Sequence, residues 1–436
     1  MSGEKAITGF LMGISAFCYE HVFRRKFGDE AKKFTRNLFY LFGGTSIATA
    51  AGFALNIIAG RLLGPAEYGK VALVQSVTLF LSIPMLLGFS NAMVKFASES
   101  SDDRQRSRVI STASLLTGGF VILSAVICLI FSSFLSRMFS TSGELFLLSL
   151  VCAVLYTFYT MVTNALKALF KIKTYAFFQP AYALLVLSIF VFLVFIKGVT
   201  NFRAIIYPTI FGYAIIGILL SVSSLRPYLH LQFDWKWAKT LAAYSSFAAI
   251  GGLSFVFYTN VDKILINRYL TVSNVGIYRA YFVSSVNITV LLWAMFNTIY
   301  FPTISRYKDK TIVFNQINKV IPYLLGLGLP LMFICEFVIL SLYGRQYPID
   351  PLLMLLFAFA AVLVVWYGLY DWTFTSEGTR GVRIGLLGTV TIAVLNLLLN
   401  ICLIPRYALY GAVGAQIFSF IFGIYCLHVL KKKIAR

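Results

Sequence analysis

Four basic residues stand within or at the ends of long apolar runs. They are Arg61, Lys263, Arg268 and Arg279. A charged side chain in such a run costs about 2.5–3.5 kcal/mol at the centre of a membrane helix, so it is expected to face an interior or a partner. Arginine and lysine both bind phosphate oxygens, arginine through a planar fork of donors. The group therefore indicates an anion site, with phosphate as the favoured anion.

The four residues do not carry this prediction equally. Arg61 and Arg268 lie at the outer ends of their runs. There a basic side chain either reaches the lipid headgroups or faces a central cavity, and both interpretations stay open. Lys263 lies a turn deeper, and Arg279 lies about one turn into the next run with no acidic neighbour in sequence. Arg279 is therefore the best candidate for substrate contact.

Polar and acidic residues near these bases could complete a site. Asn56 and Asn260 could donate to a sugar or a phosphate, or simply bond between helices. Asp262 and Glu336 lie in or at the end of an apolar run of the second half, whereas the first half has no acid within a run. They are candidates for coupling to an ion, and Asp262 is alternatively a structural ion pair with Lys263 or Arg268.

Metal and nucleotide chemistry find no support. The six cysteines and three histidines are scattered, and no two cysteines form a CxxC pair, so we predict no metal and no cofactor. The segment from Gly64 to Lys70 has the spacing of a phosphate-binding loop, but Val71 follows where Ser or Thr is required. We expect instead a tight turn between antiparallel helices.

The composition defines the elements that must position these residues. Of 436 residues, 59% are hydrophobic and 12% are charged, and the mean hydropathy is +0.83. A soluble fold could not bury so much apolar surface, and runs of about 20 apolar residues recur along the chain, long enough to span a bilayer. The sequence predicts an all-α polytopic membrane protein.

The chain is also an internal repeat. Counting forward 207 positions brings Arg61 onto Arg268 and Gly69 onto Gly276. Hydropathy predicts about twelve spans, six in each repeat. Because six crossings return the chain to the same side, the repeats are parallel and should form a V around a central cavity. The predicted segments are an N-terminal cytoplasmic or interfacial extension (1–36), an N-lobe (37–224), a cytoplasmic linker (225–239), a C-lobe (240–430) and a basic cytoplasmic tail (431–436).

The basic excess fits a topology signal. The net charge is +21, and most Lys and Arg fall in the tails and loops that lie on one side when the N-terminus is cytoplasmic. By the positive-inside rule, we expect both termini to lie in the cytoplasm. We also expect the protein to lie in the cell membrane. No nucleic-acid partner is implied, because no soluble segment could host such a module.

Three groups of residues resemble a known family. They are Gly64-Pro65-Ala66-Glu67-Tyr68-Gly69, then Val261-Asp262-Lys263-Ile264, then Phe301-Pro302-Thr303. With them, nearly the whole chain after residue 36 resembles a Wzx-type polysaccharide or O-antigen flippase of the multidrug/oligosaccharidyl-lipid/polysaccharide flippase superfamily. The resemblance implies two six-helix bundles in a V and a cationic lumen, to which Arg61, Lys263, Arg268 and Arg279 would contribute.

The resemblance also implies a function and its partners. Such a protein moves a polyprenyl-diphosphate-linked oligosaccharide from the cytoplasmic to the outer leaflet, by alternating access, for surface glycan assembly. The expected partners are that lipid and the bilayer, with polysaccharide assembly proteins as an open alternative. Rival interpretations are a multidrug exporter for organic cations, a membrane glycosyltransferase or polymerase, and a non-transporting scaffold. The first rival would want buried carboxylates, which the first half lacks. An enzyme would need acidic catalytic residues on sizeable outer loops, and the predicted outer loops are short. We therefore expect a transporter of anions and no enzyme.

Overall fold

Apolar helices make up the protein. A computed structural model describes residues 29–100, 102–228, 232–307 and 309–431, and every regular element in these ranges is helical. The predicted N-terminal extension up to residue 28 and the tail beyond Lys431 lie outside the described residues. The α-helices are α1 (Asp29–Leu86), α2 (Phe89–Glu99), α3 (Asp103–Ile130), α4 (Ser132–Met138), α5 (Gly143–Ala168), α6 (Ile172–Val191), α7 (Arg203–Leu220), α8 (Trp235–Tyr269), α9 (Val272–Phe282), α10 (Ile288–Ser305), α11 (Lys310–Tyr323), α12 (Leu329–Tyr343), α13 (Pro351–Thr375) and α14 (Thr379–Leu430).

The two longest helices each contain a sharp break. In α1 the break is Gly64, with φ 76° and ψ 169°, and Pro65 begins the next limb. Glycine adopts positive φ without strain, and proline is well suited to the first position of a helix. In α14 the break is Ala408, with φ 49°. The break in α1 confirms the turn predicted around Gly64, and Gly64 is the one residue there with a non-helical backbone.

Dividing these two helices recovers the predicted number of spans. Ten described helical stretches are long and apolar enough to cross a membrane, and the first and last of them contain 47 and 51 residues. Each of these two is interrupted near its middle, at Gly64 and Ala408. The described part of the chain thus has twelve crossing segments in two six-helix repeats, as predicted. We call α1 to α7 the first lobe and α8 to α14 the second lobe.

Short irregular turns bend several helices. Among the described residues, π-type turns occupy Phe192–Ile196, Ser221–Leu225, Val283–Asn287 and Leu324–Gly328. The predicted second span is interrupted at Leu87 and Gly88, where φ is 41° and 78°. Between the lobes the chain is helical up to Tyr228 and again from Trp235. Helical structure therefore extends into both ends of the predicted linker.

The lobes make a close backbone contact between the second limb of α1 and α9. A methyl group built on Gly69 would lie 2.0 Å from the carbonyl oxygen of Val272, and one built on Gly276 would lie 1.9 Å from that of Pro65. Gly69 matches Gly276 in the repeat and Pro65 matches Val272. The contact is therefore made twice across the pseudo-twofold axis, at the predicted outer end.

Candidate functional site

Arg279 lies on the same helix as Gly276, about one turn further along the chain. It belongs to α9, and its side chain is 9% exposed. Its Nη2 donates to Asn56 Oδ1 at 2.9 Å, and its guanidinium stacks over the Tyr68 ring, 4.7 Å from the centroid. Its Nε has no hydrogen-bond partner, and within the described chain no carboxylate forms an ion pair with Arg279. All of its observed partners are neutral.

Tyr68 links the two lobes around this arginine. Its hydroxyl donates to Asn56 Oδ1 at 2.8 Å and lies 3.2 Å from the hydroxyl of Tyr343 on α12. Asn56 Nδ2 donates in turn to the carbonyl of Gly52. One amide oxygen therefore accepts from both lobes, from Tyr68 of the first and from Arg279 of the second. This arrangement fixes Asn56 as an acceptor facing the guanidinium.

Lys263 is held differently, because it has an acidic partner. Its Nζ lies 3.3 Å from Asp262 Oδ1, donates to the carbonyl of Thr259 at 2.5 Å, and stacks over the Phe282 ring at 4.5 Å. The hydroxyl of Tyr278 donates to the other Asp262 oxygen at 2.5 Å. The ion pair that the sequence offered for Asp262 and Lys263 is present, and both side chains are buried.

Two cavities meet at Arg279. The first-lobe cavity, about 360 Å³, is bounded by the first limb of α1 with α5, α6 and α7, and is lined by Asn56, Gln75 and Arg279 among others. The second-lobe cavity, about 570 Å³, is bounded by the second limb of α1 and by the helices of the second lobe. Gln75 and Arg279 line both cavities. The two cavities are therefore neighbours, separated by Gln75 and Arg279.

The charges of the two cavities differ. The second-lobe cavity is lined by Lys263, Arg279 and one acid, Asp371. Arg279 is the one charged residue that lines the first-lobe cavity, as far as the chain is described. Asn260 lines the second-lobe cavity, and its Oδ1 accepts from Ser76 Oγ of the first lobe at 3.2 Å. An anion at Arg279 would thus have a second cation on one side and uncharged groups on the other.

Three predicted residues lie away from this site. Arg61 is exposed, with its stem beside Gly344. Arg268 is exposed near the end of α8. Neither lines either cavity, because each sits at a helix end where a long side chain can extend toward the interface. Glu336 on α12 is fully buried outside both cavities, and neither of its carboxyl oxygens has a described partner.

Sequence reasoning missed the tyrosines of the site. The chain has 25 tyrosines, and the first-lobe cavity is lined by Tyr159, Tyr182 and Tyr213 from three different helices. Tyr68 lies within the repeated turn motif, where the other repeat has Val275, and this difference was the available signal. For the three cavity tyrosines, no local pattern shows which face of a uniformly apolar helix points inward.

Comparison with known proteins places this architecture among transporters. The chain is 25% identical over 415 residues to "Probable flippase AglR" of Haloferax volcanii, covering 90% of this chain and 82% of that one. Its fold is similar to an inward-facing multidrug resistance MATE family transporter of the MOP superfamily, with TM-score 0.69, 12% identity, and coverage of 89% and 95%. It is also similar to the lipid II flippase MurJ in an inward closed conformation, with TM-score 0.57, 15% identity, and coverage of 90% and 89%.

None of these three relatives is named as an enzyme, in agreement with the expectation of transport without catalysis. The similarity to these two solved structures is a similarity of fold. A family model described as "Polysaccharide biosynthesis protein" matches residues 58–348, a range that includes Tyr68, Lys263 and Arg279. The chain therefore belongs to the polysaccharide biosynthesis protein family.

Proposed function

We propose that the protein is a flippase that moves a polyprenyl-diphosphate-linked oligosaccharide from the cytoplasmic to the outer leaflet during glycan assembly. The observation that carries the proposal is Arg279, a buried arginine with neutral partners at the junction of two cavities. The related AglR is named a probable flippase, and MurJ is named a lipid II flippase. Both are named flippases, and the name of MurJ includes a lipid.

The chemistry of a diphosphate suits this site. An uncompensated buried charge is costly, so a guanidinium with a free Nε favours an anionic ligand. Lys263 supplies a second cation on the wall of the second-lobe cavity. Because Asp262 already neutralises Lys263 in part, the pair attracts an anion without holding it irreversibly. Release is required of any transporter, so a moderate binding energy favours turnover.

The charge balance disfavours the rival function of exporting organic cations. Two bases and one acid, Asp371, line the cavities in the described chain. A cationic drug would need to pair with a carboxylate and would be repelled by Arg279 and Lys263. The acid nearest to these bases, Asp262, is already engaged by Lys263 and Tyr278.

Reconstitution into liposomes tests the proposal. The probe is a polyprenyl-diphosphate oligosaccharide with a fluorescent group on its sugar, and a membrane-impermeant quencher reports the leaflet. We expect the parent to flip the probe and Arg279→Met to flip it about 10–100-fold more slowly, because a hydrogen bond to a charged group contributes about 1.5–3 kcal/mol. Arg268→Met is the matched control and should remain within about twofold of the parent.

Two results would contradict the proposal. One is equal flipping by the parent and Arg279→Met, with both proteins equally well folded. The other is an absence of flipping together with export of a cationic dye, which would establish the exporter instead.

We further propose the arrangement in which this transport occurs. The N-lobe (37–224) and C-lobe (240–430) move relative to each other about the linker (225–239), with both termini in the cytoplasm. Glu336 is the candidate for ion coupling, since a buried carboxyl without a partner favours binding a proton or a cation. Asp262 acts as the structural partner of Lys263.

A further inference from the structure

Three tyrosines in mutual contact line the first-lobe cavity. Tyr159 of α5, Tyr182 of α6 and Tyr213 of α7 line one wall. Their ring centroids are 5.2–5.3 Å apart in all three pairs, and the rings of Tyr182 and Tyr213 are parallel within 10°. Such spacing is typical of favourable aromatic pairs. The three helices thus present one connected aromatic surface to the cavity.

Polar uncharged residues also line this cavity, beside several apolar ones. Thr45, Thr49 and Gln179 lie on the same cavity, and Thr45 Oγ1 donates to Gln179 Oε1 at 3.0 Å. Gln179 also bonds to the hydroxyl of Tyr175. Hydroxyl and amide groups both donate and accept, so they can pair with a ligand rich in hydroxyls. Apart from Arg279, no charged residue of the described chain lines this cavity.

An aromatic surface beside amides and hydroxyls matches the chemistry of a neutral sugar. The sugar ring presents C–H groups that contact an aromatic face, and its hydroxyls form hydrogen bonds at the ring edge. A prenyl chain offers no partner for the amides, and a diphosphate would find no further cation here beyond Arg279. The volume of about 360 Å³ falls at the lower end of small-ligand cavities, about 300–1,000 Å³.

The position of Arg279 supplies the connection. It lines both cavities, so a diphosphate bound to it has the uncharged first-lobe cavity on one side and Lys263 on the other. We propose that the first-lobe cavity is the glycan subsite, in which Tyr182 and Gln179 bind neutral sugars next to the diphosphate. This inference rests on the proposed function, and it assigns the two parts of the cargo's head to different lobes.

Binding to the purified full-length chain separates the two ideas. The probes are farnesyl diphosphate and two glycosylated forms of it, one with an N-acetylglucosamine disaccharide and one with a neutral hexose disaccharide. We expect the parent to bind at least one glycosylated probe about tenfold more tightly than farnesyl diphosphate. Tyr182→Leu and Gln179→Leu should lose this advantage, whereas Tyr182→Phe should retain most of it because the ring remains.

Tyr323→Leu is the matched control, because Tyr323 is 69% exposed and lines neither cavity. It should leave affinity for all three probes unchanged, and Tyr182→Phe guards against a misfolded Leu variant. Equal affinity of the parent for all three probes would overturn the glycan subsite while leaving diphosphate binding intact. So would an advantage that persists in both Leu variants. Failure of farnesyl diphosphate to bind, or its indifference to Arg279→Met, would overturn the proposed function itself.

Discussion

Two buried basic residues that line the same cavity have different partners, and this difference determines their roles. Lys263 has a carboxylate at 3.3 Å and a carbonyl at 2.5 Å, so its charge is compensated within the fold. Arg279 has an amide oxygen and an aromatic face, which stabilise the cation without neutralising it. A ligand anion therefore gains more from Arg279 than from Lys263.

The compensation of Lys263 can be measured as stability. Replacing Asp262 by Asn leaves a buried ammonium without its counterion, and breaking such a pair costs about 3–5 kcal/mol. We expect Asp262→Asn to lower the thermal unfolding temperature in detergent by several degrees. The double variant Asp262→Asn/Lys263→Met should recover much of the loss, because it leaves no unpaired charge.

The single variant Lys263→Met is the control for this comparison. Lys263→Met alone leaves Asp262 with Tyr278 as its remaining side-chain partner, so it should be less stable than the double variant. Independent effects that simply add in the double variant would contradict the ion-pair interpretation.

At the scale of helices, the glycine contact between the second limb of α1 and α9 decides how the lobes approach. Each glycine faces a backbone carbonyl of the other helix at about 2 Å from where a Cβ would lie. A backbone carbonyl cannot move aside as the flexible end of a side chain can. A methyl group added at either glycine must therefore separate the two helices. The close approach of the lobes at this end therefore depends on two residues.

Gly69→Ala and Gly276→Ala should each open this end of the molecule. A cysteine introduced at Ala72, which is 1% exposed below the contact, reports the opening in a background without the native cysteines. We expect its reaction with a membrane-impermeant maleimide to become severalfold faster in either variant. Gly252→Ala is the matched control, since nothing lies within 4 Å of its Cβ position. Identical labelling in all of these proteins would show that the contact does not control access.

A second helix contact depends on pH. Asp350 caps α13 by accepting from the backbone of Leu352 and Leu353 at 3.0 and 3.1 Å, and it also accepts from the hydroxyl of Tyr410. The Tyr410 bond, followed by the backbone N–H groups, lowers the pKa of Asp350 below its ordinary value. The folded state thus favours the ionised carboxylate, as expected for an acid at a helix N-terminus.

The sign of the pH effect follows from this shift. A lowered pKa contributes stability that is complete above the unfolded value, about 3.9, and is lost as the pH falls through the folded value. Asp350→Ala should therefore be less stable than the parent at pH 7, by about 1 kcal/mol for a lost cap. We expect the difference in unfolding temperature to shrink below about pH 4. Asp350→Asn should keep part of the cap and show no such dependence, and a constant deficit of Asp350→Ala at every pH would contradict the assignment.

At the scale of the whole molecule, the repeat has diverged into two chemically different lobes. Both lobes share six crossings and the paired glycine contact. Both lobes contribute tyrosines and amides to the centre, whereas its charged residues in the described chain, Lys263, Arg279 and Asp371, all come from the second lobe. A transporter whose cargo has one anionic and one neutral part can use such a division, because each lobe need recognise one part.

The orientation of the molecule is a separate prediction at this scale. Most Lys and Arg lie in segments that share one side of the membrane, so both termini should face the cytoplasm. A fluorescent protein fused after Arg436 should fold and fluoresce, while a tag placed after Gly198 should react with an impermeant reagent from outside. Labelling of both from the outside would reverse the orientation and the direction proposed for transport.

The sequence by itself determined the class, the repeat and the number of crossings. Twenty-residue apolar runs need no tertiary information, because the bilayer requires each to be a helix. The alignment of Gly69 with Gly276 likewise followed from the sequence repeat. Arg279 was identified as the leading cation because it has no acidic neighbour in sequence.

Tertiary structure decided which predicted residues meet. The sequence left open whether Arg61 faces the lipid headgroups or the cavity, and the structure shows that Arg61 is exposed whereas Arg279 is buried. The tyrosines of the first-lobe cavity come from three helices that are uniformly apolar in sequence. Orientation about a helix axis is set by packing against its neighbours, and a helix without a polar face does not record that orientation in its own pattern.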